Sequence, residues 1–266
     1  MLIEFQKVSH VYPTGEQALK EINFQVSSTD PIAIIGQNGA GKTTIVKHLN
    51  GLLKATSGDV LIEGVSVSAR TTSEWAKTVG YVFQNPDNQL FLDTVKKELE
   101  FGPKQIGMSK KEIAERVSMV SEFIGLEKSL TVHPFDLSAT EKKFCTIGSV
   151  LMMNPKIIIL DEPTCGQDTI GNTRLKKLIQ EIKNQGILCI TISHDMKFVV
   201  ENFKRVIVMK QGEIIIDGPK EEVFKETEKL ASSYVSAPPI TRLSQKLGFK
   251  QLTFTADELI KQFEEE

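Results

Sequence analysis

The run Gly36-Gln37-Asn38-Gly39-Ala40-Gly41-Lys42-Thr43 fits the pattern G-x-x-x-x-G-K-[ST]. It stands directly after the apolar segment Pro31-Ile32-Ala33-Ile34-Ile35 and before a helical stretch, Thr43 to Leu52. A glycine-rich loop between a buried strand and a helix is built to hold phosphate. Its glycines let successive backbone N–H groups converge on phosphate oxygens at the positive end of the helix, while the lysine reaches the β- and γ-phosphates. The Thr43 hydroxyl is then a ligand for Mg²⁺. The bland alternative, a glycine-rich turn with a solvated lysine, does not account for the strand before the loop and the helix after it.

Further short apolar runs at Val79 to Phe83, Ile157 to Leu160, Ile187 to Ile192 and Arg205 to Met209 have helical patterns between most of them, and this alternation means an α/β protein. Residues 1 to about 30 alternate apolar and polar around the Thr14-Gly15 turn. Between the runs at 79 and 157 lies a long insertion, about 85–155, with no strand signal and a helical character. Within it Ser109-Lys110-Lys111-Glu112 makes a capping box, Ile113, Val117, Val120 and Ile124 share one face, and Gly125 can stop the chain, so the spacing predicts a helix over 109–124. After Gly218-Pro219 the composition turns polar and helical, with a break at Ala237-Pro238-Pro239. Residues 226–266 read as an appended C-terminal piece.

Charge and composition narrow the function classes. The chain has 266 residues, with 32 Lys+Arg against 34 Asp+Glu for a net charge of −2, which argues against a strongly basic nucleic-acid footprint. Its longest apolar runs are a handful of residues, far short of the ~20 that a spanning helix requires. Met1-Leu2-Ile3-Glu4-Phe5 shows neither the basic nor the apolar region of a secretory signal. Cys145, Cys165 and Cys189 form no CxxC pair, and buried thiols in a reducing compartment are the simplest expectation.

A second site, this one acidic, is legible downstream. Ile157-Ile158-Ile159-Leu160-Asp161-Glu162 places two carboxylates at the C-terminal end of a buried strand, where α/β sheets bind ligands. Behind a phosphate loop this reads as Asp161 in the Mg²⁺ shell and Glu162 polarising the attacking water, against the alternative of two acids capping the next helix. His194 follows the run Ile187 to Ile192, so it can donate to a γ-phosphate or to the Glu162–water pair. Taken alone, such a histidine is more often structural.

In this order of motifs, residues 1 to about 225 resemble the ATP-binding-cassette (ABC) ATPases. The resemblance implies a P-loop NTPase (RecA-like) core with an N-terminal antiparallel β subdomain, an inserted α-helical subdomain and a small C-terminal helical extension. It implies ATP and Mg²⁺, held by Gly36, Asn38, Gly39, Ala40, Gly41, Lys42, Thr43 and Thr44. Gln84 is similar to the family's Q-loop glutamine, which binds Mg²⁺ and links the site to a membrane partner. Asp161 and Glu162 match its Walker B pair, Asp168 in Cys165-Gly166-Gln167-Asp168 matches its D-loop, and His194 in Ser193-His194-Asp195 matches its switch histidine. Tyr12 falls where the family stacks a ring on adenine, although a core or edge-strand tyrosine would look the same.

The stretches Tyr81-Val82-Phe83-Gln84-Asn85-Pro86-Asp87-Asn88-Gln89-Leu90-Phe91 and Glu100-Phe101-Gly102-Pro103 narrow the resemblance to the ATPases of energy-coupling-factor (ECF) importers, which take up vitamins and transition-metal ions. The expected partners are a second ABC ATPase subunit, a transmembrane coupling protein and a substrate-binding membrane protein. The expected location is the cytoplasmic face of the cell membrane, peripherally bound, with no nucleic acid. Residues 226–266 resemble the group's ATPase-pairing extension.

Two motifs depart from the family: in the D-loop Gly166-Gln167 replaces the more usual aliphatic before Asp168, a small departure, and the larger one is the signature. Where the signature L-S-G-G-Q should stand, the chain reads Leu137-Ser138-Ala139-Thr140-Glu141. In the family this motif closes over the nucleotide of the other subunit and its serine binds the γ-phosphate, so the departure implies one competent and one impaired site in an ATPase heterodimer. Ser138-x-x-Glu141 is also a capping-box pattern, which predicts that Glu141 folds back on its own helix N-terminus. The alternative is a tolerated variant whose backbone amides still serve. Two rival functions share these motifs: a nucleotide-gated regulatory subunit, and a soluble cassette ATPase acting on nucleic acid or ribosomes. Intact Glu162 and His194 speak against the first; chain length and net charge speak against the second.

Overall fold

A computed structural model describes residues 2–249 and 251–265. In chain order its elements are β1 (Ile3–Val11), β2 (Gln17–Val26), β3 (Ile32–Ile35), α1 (Lys42–Leu49), β4 (Ser57–Ile62), β5 (Val65–Ser66), α2 (Thr72–Trp75) and β6 (Val79–Val82). Then come α3 (Val95–Gln105), α4 (Lys110–Phe123), α5 (Ala139–Leu151), β7 (Ile157–Asp161), α6 (Thr169–Asn184), β8 (Leu188–Ile192) and α7 (Met196–Asn202). The chain closes with β9 (Arg205–Lys210), β10 (Glu213–Pro219), α8 (Lys220–Val223), α9 (Thr227–Ser232), α10 (Pro239–Leu247) and α11 (Ala256–Glu265). It divides into two units, residues 1–49, 53–69 and 192–266, and residues 50–52 and 70–191.

The first unit carries an antiparallel sheet of order β2-β1-β4-β5, with Phe5 opposite Phe24 on one side and Val60 on the other. The two phenylalanine rings stack at 4.5 Å, and Ile3, Val8, Leu19 and Ile22 complete an apolar face. The same unit holds the strand order β10-β9-β3, in which β3 runs parallel to β9 and β10 returns antiparallel. All four residues of β3 are buried, as a strand covered on both faces requires. In the C-terminal region, the Gln245 side chain donates to the Phe224 carbonyl at 2.7 Å and Phe254 meets Phe224 edge-on.

The second unit holds β8-β7-β6, with Val79 level with Ile157 and Val82 level with Leu160 in a parallel pair. The insertion between β6 and β7 is helical throughout its regular part, as expected. α4 begins with the Ser109–Glu112 capping box, buries Ile113, Val117 and Val120, and ends before Gly125 in a left-handed conformation.

Two expectations are corrected. α1 stops at Leu49 rather than continuing to Leu52, because Gly51 turns left-handed and the Asn50 side chain accepts from the Leu52 amide. The hairpin β4–β5 and the strand β10 have no counterpart in the sequence reading. Of the cysteines, Cys145 and Cys189 are buried, their thiols pushed up to about 12 chiefly by burial, but Cys165 is exposed on the turn after β7.

Candidate functional site

In the first unit the phosphate loop springs from β3. A side chain at Gly36 would place its Cβ 2.2 Å from the Met209 carbonyl oxygen, so the loop can leave the strand here only as glycine. The Gly212 amide donates to the Ala40 carbonyl at 3.0 Å and fixes the loop's far side. Lys42 is buried, and its ammonium donates to the carbonyls of Gly36 and Gln37 at 2.8 and 2.9 Å. Asn38, Gly39 and Thr43 face outward. A cradle that excludes Cβ atoms, closed by a cation and opening at a helix N-terminus, has the chemistry of an anion site. His194, on the turn between β8 and α7, is exposed; beside it Asp195 caps α7 by accepting from the Phe198 amide.

Tyr12 lies just beyond β1, and its hydroxyl meets the Thr44 hydroxyl at 3.0 Å, which ties the aromatic ring to the phosphate-loop helix. Behind it sit two buried histidines. His10 stands edge-on to Tyr12 and to His48, at ring distances of 4.7 and 4.8 Å. Each histidine donates from Nδ1 to a backbone carbonyl, His10 to Lys54 and His48 to Thr44. Their Nε2 atoms have no hydrogen-bond partner among the described residues.

Burial, aided by the nearby His10 and opposed by the Thr44 and Lys54 carbonyls, lowers the His48 pKa from its ordinary 6.5. Below that value the unfolded chain takes up a proton that the folded one resists. The contribution of this group is therefore fully present above pH 6.5 and is lost as the pH falls. Denaturant midpoints measured from about pH 7.5 to about pH 5.5 should decline, and His48→Gln should flatten the slope below the histidine value. An equally steep decline in the variant would remove His48 as the cause.

In the second unit, Asp161 and Glu162 are both buried at the end of β7, as their position after Leu160 predicts. The Tyr81 hydroxyl donates to Asp161 Oδ2 at 2.6 Å, fixing the carboxylate; burial first, and then this bond, push the phenol upward. Glu162 holds a left-handed backbone, φ 46°, a conformation that typically costs a non-glycine residue on the order of 1–3 kcal/mol. The Cys165 amide closes the turn onto the Glu162 carbonyl. Asp168 caps α6, accepting from the Gly171 amide at 2.7 Å.

The altered signature forms the capping box that its spacing predicts. Ser138 caps α5: its amide and its hydroxyl both donate to Glu141 Oε2, at 2.9 and 2.7 Å, and the Glu141 amide donates back to Ser138 Oγ at 3.3 Å. The Ser138 side-chain bond, with the backbone bond behind it, holds the Glu141 carboxyl below the ordinary glutamate value. Thr140 and the D-loop meet around Gly171, where a Cβ would lie 2.6 Å from Gln167 Oε1 and 3.2 Å from Thr140 Oγ1. The unusual Gln167 and the unusual Thr140 thus share one small space.

Sequence reasoning missed two residues. Tyr81 stands in the sequence only as part of a motif, and nothing in its spacing announces the bond to Asp161. Lys143 is 1% exposed, and its ammonium donates to the carbonyls of Phe83, at 3.2 Å, and Gln84. Burial lowers its pKa to about 8, opposed by the charges of Cys165, Asp161 and Glu162. A signal did exist: Lys143 precedes Ile147 and Leu151 at intervals of four, on the buried stripe of α5. Gln84 is itself exposed, and Phe83, Phe91, Phe101 and Leu52 line a groove of about 400 Å³. Phe91 and Phe101 are 61% and 41% exposed and pack edge-on at 5.0 Å.

The expected site residues therefore fall to both units. Tyr12, Gly36 to Thr44 and His194 belong to the first; Gln84, Ser138, Asp161, Glu162 and Asp168 belong to the second.

Known proteins fit this pattern of parts. The family model described as ABC transporter matches residues 19–165. The chain is 40% identical over 259 residues to the energy-coupling factor transporter ATP-binding protein EcfA2 of Clostridium perfringens, covering 94% of this chain and 91% of that one. It is 37% identical over 251 residues to the corresponding EcfA protein of Methanocaldococcus jannaschii, covering 94% and 90%. Among solved structures, cbiO1 of Clostridium perfringens, described as part of the ABC transporter complex cbiONQ, superposes with a TM-score of 0.79 at 33% identity over 93% of this chain and 99% of that one. The ATP-binding cassette MJ0796, a dimer in a post-hydrolysis state bound to ADP and Pi, gives a TM-score of 0.74 at 25% identity over 82% and 98%.

Proposed function

The chain belongs to the ABC transporter ATPases, and from that premise we propose that it is one half of an ATPase heterodimer at the cytoplasmic face of the membrane, driving uptake of vitamins or metal ions, with its partner's nucleotide site impaired by its own signature. The coarser statement stands without the proposal: it is an ATPase subunit of an ECF-type transporter, coupling ATP hydrolysis to transport. The observation that carries the finer reading is the Ser138–Glu141 pair. The hydroxyl hydrogen that the family's serine offers to a γ-phosphate is here spent on a carboxylate of its own helix, in a charge-assisted bond about twice as strong as a neutral one.

For the chain's own site, each residue has a role its chemistry suits. The loop amides and Lys42 hold the phosphates, with Lys42 exchanging the Gly36 and Gln37 carbonyls for phosphate oxygens. Tyr12 supports adenine. Thr43, Asp161 and Gln84 offer a hydroxyl, a carboxylate and an amide oxygen, a hard donor set that fits Mg²⁺. Bound there, Mg²⁺ would supply positive charge against the phosphates. Tyr81 holds the Asp161 carboxylate by its 2.6 Å bond, Glu162 takes the proton of the attacking water, and His194 donates to the γ-phosphate.

The groove of Leu52, Phe83, Phe91 and Phe101 suits the coupling protein, because exposed aromatic side chains beside the Q-loop would carry movement outward. Exposed Leu243, Leu247, Ile260 and Phe263 on α10 and α11 suit pairing of the extension, residues 226–266, with the second ATPase. The test is affinity purification from detergent-solubilised membranes with comparison of ATPase rates. We expect a second cassette ATPase with an intact signature, polytopic membrane proteins, and an assembled rate far above that of the chain alone. A lone chain hydrolysing ATP as fast as the complex would end the heterodimer reading.

A further inference from the structure

We propose that Lys143 is a positioning residue for Gln84, clamping the backbone of the Q-loop from inside α5. This rests on the reading that Gln84 serves the nucleotide site, and it adds a residue that neither motif nor spacing assigns. An ammonium is expensive to bury, and proteins keep one in a core only where acceptors are fixed around it. Here the acceptors are two consecutive main-chain carbonyls, Phe83 and Gln84, immediately after β6. In an extended strand, successive carbonyls point to opposite sides, so one ammonium can hold both only if the chain leaves the strand at this point.

The rest of the loop is tied just as closely. The Phe83 amide donates to Gln89 Oε1 at 3.1 Å, and Asn85 accepts from the Asp87 amide at 3.0 Å. The neighbouring Lys142 reaches Asp87 at 3.1 Å from the same turn of α5. With both ends of the 83–89 backbone fixed, the Gln84 side chain leaves the loop from a defined origin. Ser138 also caps α5, so the helix that presents the altered signature at its first turn grips the chain's own Q-loop at its second. Movement of that helix is passed to residue 84 through a buried ion–dipole contact rather than through flexible loop.

The experiment uses the assembled transporter with Lys143→Met, Lys143→Arg, Gln84→Ala and the double variant Lys143→Met/Gln84→Ala. Hydrogen exchange of the 83–90 segment should quicken about tenfold or more in Lys143→Met while β7 keeps its protection, because only the local opening is made easier. Misplacing a group by about 1 Å can cost on the order of 10²-fold, so kcat should fall between about 10- and 100-fold with KM for ATP within about twofold. Lys143→Arg, which keeps charge and donors, should recover most of both, and the double variant should be no slower than Gln84→Ala alone.

Wild-type exchange at 83–90, or losses that multiply in the double variant, would overturn the clamp. If Lys143→Met does not assemble, Lys143→Gln takes its place, and wild-type exchange and kcat in that variant are equally fatal. A fully active Gln84→Ala would strike the reading of Gln84 itself, and the exchange measurement would still decide whether Lys143 holds the loop.

Discussion

Replacing Glu162 with glutamine should leave ATP bound and remove most of the turnover of the assembled transporter. The amide has nearly the shape of the carboxylate, so the buried position at the end of β7 stays filled and the left-handed backbone at φ 46° can persist. In the role proposed for Glu162, what is lost is an acceptor for the water's proton, and general-base catalysis of this kind is typically worth ~10²–10⁴-fold. On the proposed heterodimer, in which the partner's site is the slow one, the loss should show in the whole complex. With two equal sites, silencing one would leave about half of the rate; with Ser138 withheld from the other site, little remains. The measurement is steady-state phosphate release together with the amount of nucleotide retained through gel filtration. Retained ATP with less than a few per cent of parental turnover is the expected pair of results, and persistence of the full rate would exclude Glu162 as the base.

The parts that sequence disclosed were those in which chemistry restricts residue type. No side chain fits at Gly36 against the Met209 carbonyl, so the loop could be placed to the residue. The wholly buried β3, β7 and β8 announce themselves as apolar runs because both of their faces are covered. Elements missed were those whose sequence is divided between environments. β4 opens Ser57-Gly58-Asp59, a set that reads as turn; Gly58 is there because β1 bulges against it, with the Lys7 carbonyl 2.3 Å from where a Cβ would sit. β10 is an edge strand of intermediate burial that ends in Asp-Gly-Pro. Lys143 was missed for a different reason. Its position on the apolar stripe was readable, but its acceptors are main-chain carbonyls about sixty residues away in sequence, and backbone atoms leave no trace in residue identity. The Tyr81–Asp161 bond likewise depends on the parallel register of β6 and β7, which no local pattern specifies.

Restoring Ala139-Thr140-Glu141 to Gly-Gly-Gln should have the opposite sign to the Glu162 variant, and its size depends on how it is read. Glutamine at the third helical position still completes a capping box, so α5 should keep its first turn. What changes is charge. The Glu141 carboxyl, held ionised by the Ser138 hydroxyl and amide, gives way to a neutral amide that competes less strongly for the serine hydrogen, and the repulsion of a γ-phosphate disappears. Removing the Thr140 side chain clears the space it shares with Gln167 beside Gly171. An oriented donor of this kind is typically worth ~10²–10³-fold in rate at the site it serves. In steady state two independent sites can at most add, so total turnover should rise only about twofold. In single turnover with Glu162 already replaced by glutamine, hydrolysis at the partner's site is read without that background, and there the full ~10²–10³-fold acceleration should appear. An unchanged single-turnover rate in a complex that still assembles would mean that the α5 amides serve the partner's phosphate as they stand, and that the Ser138–Glu141 box is a helix cap and nothing more.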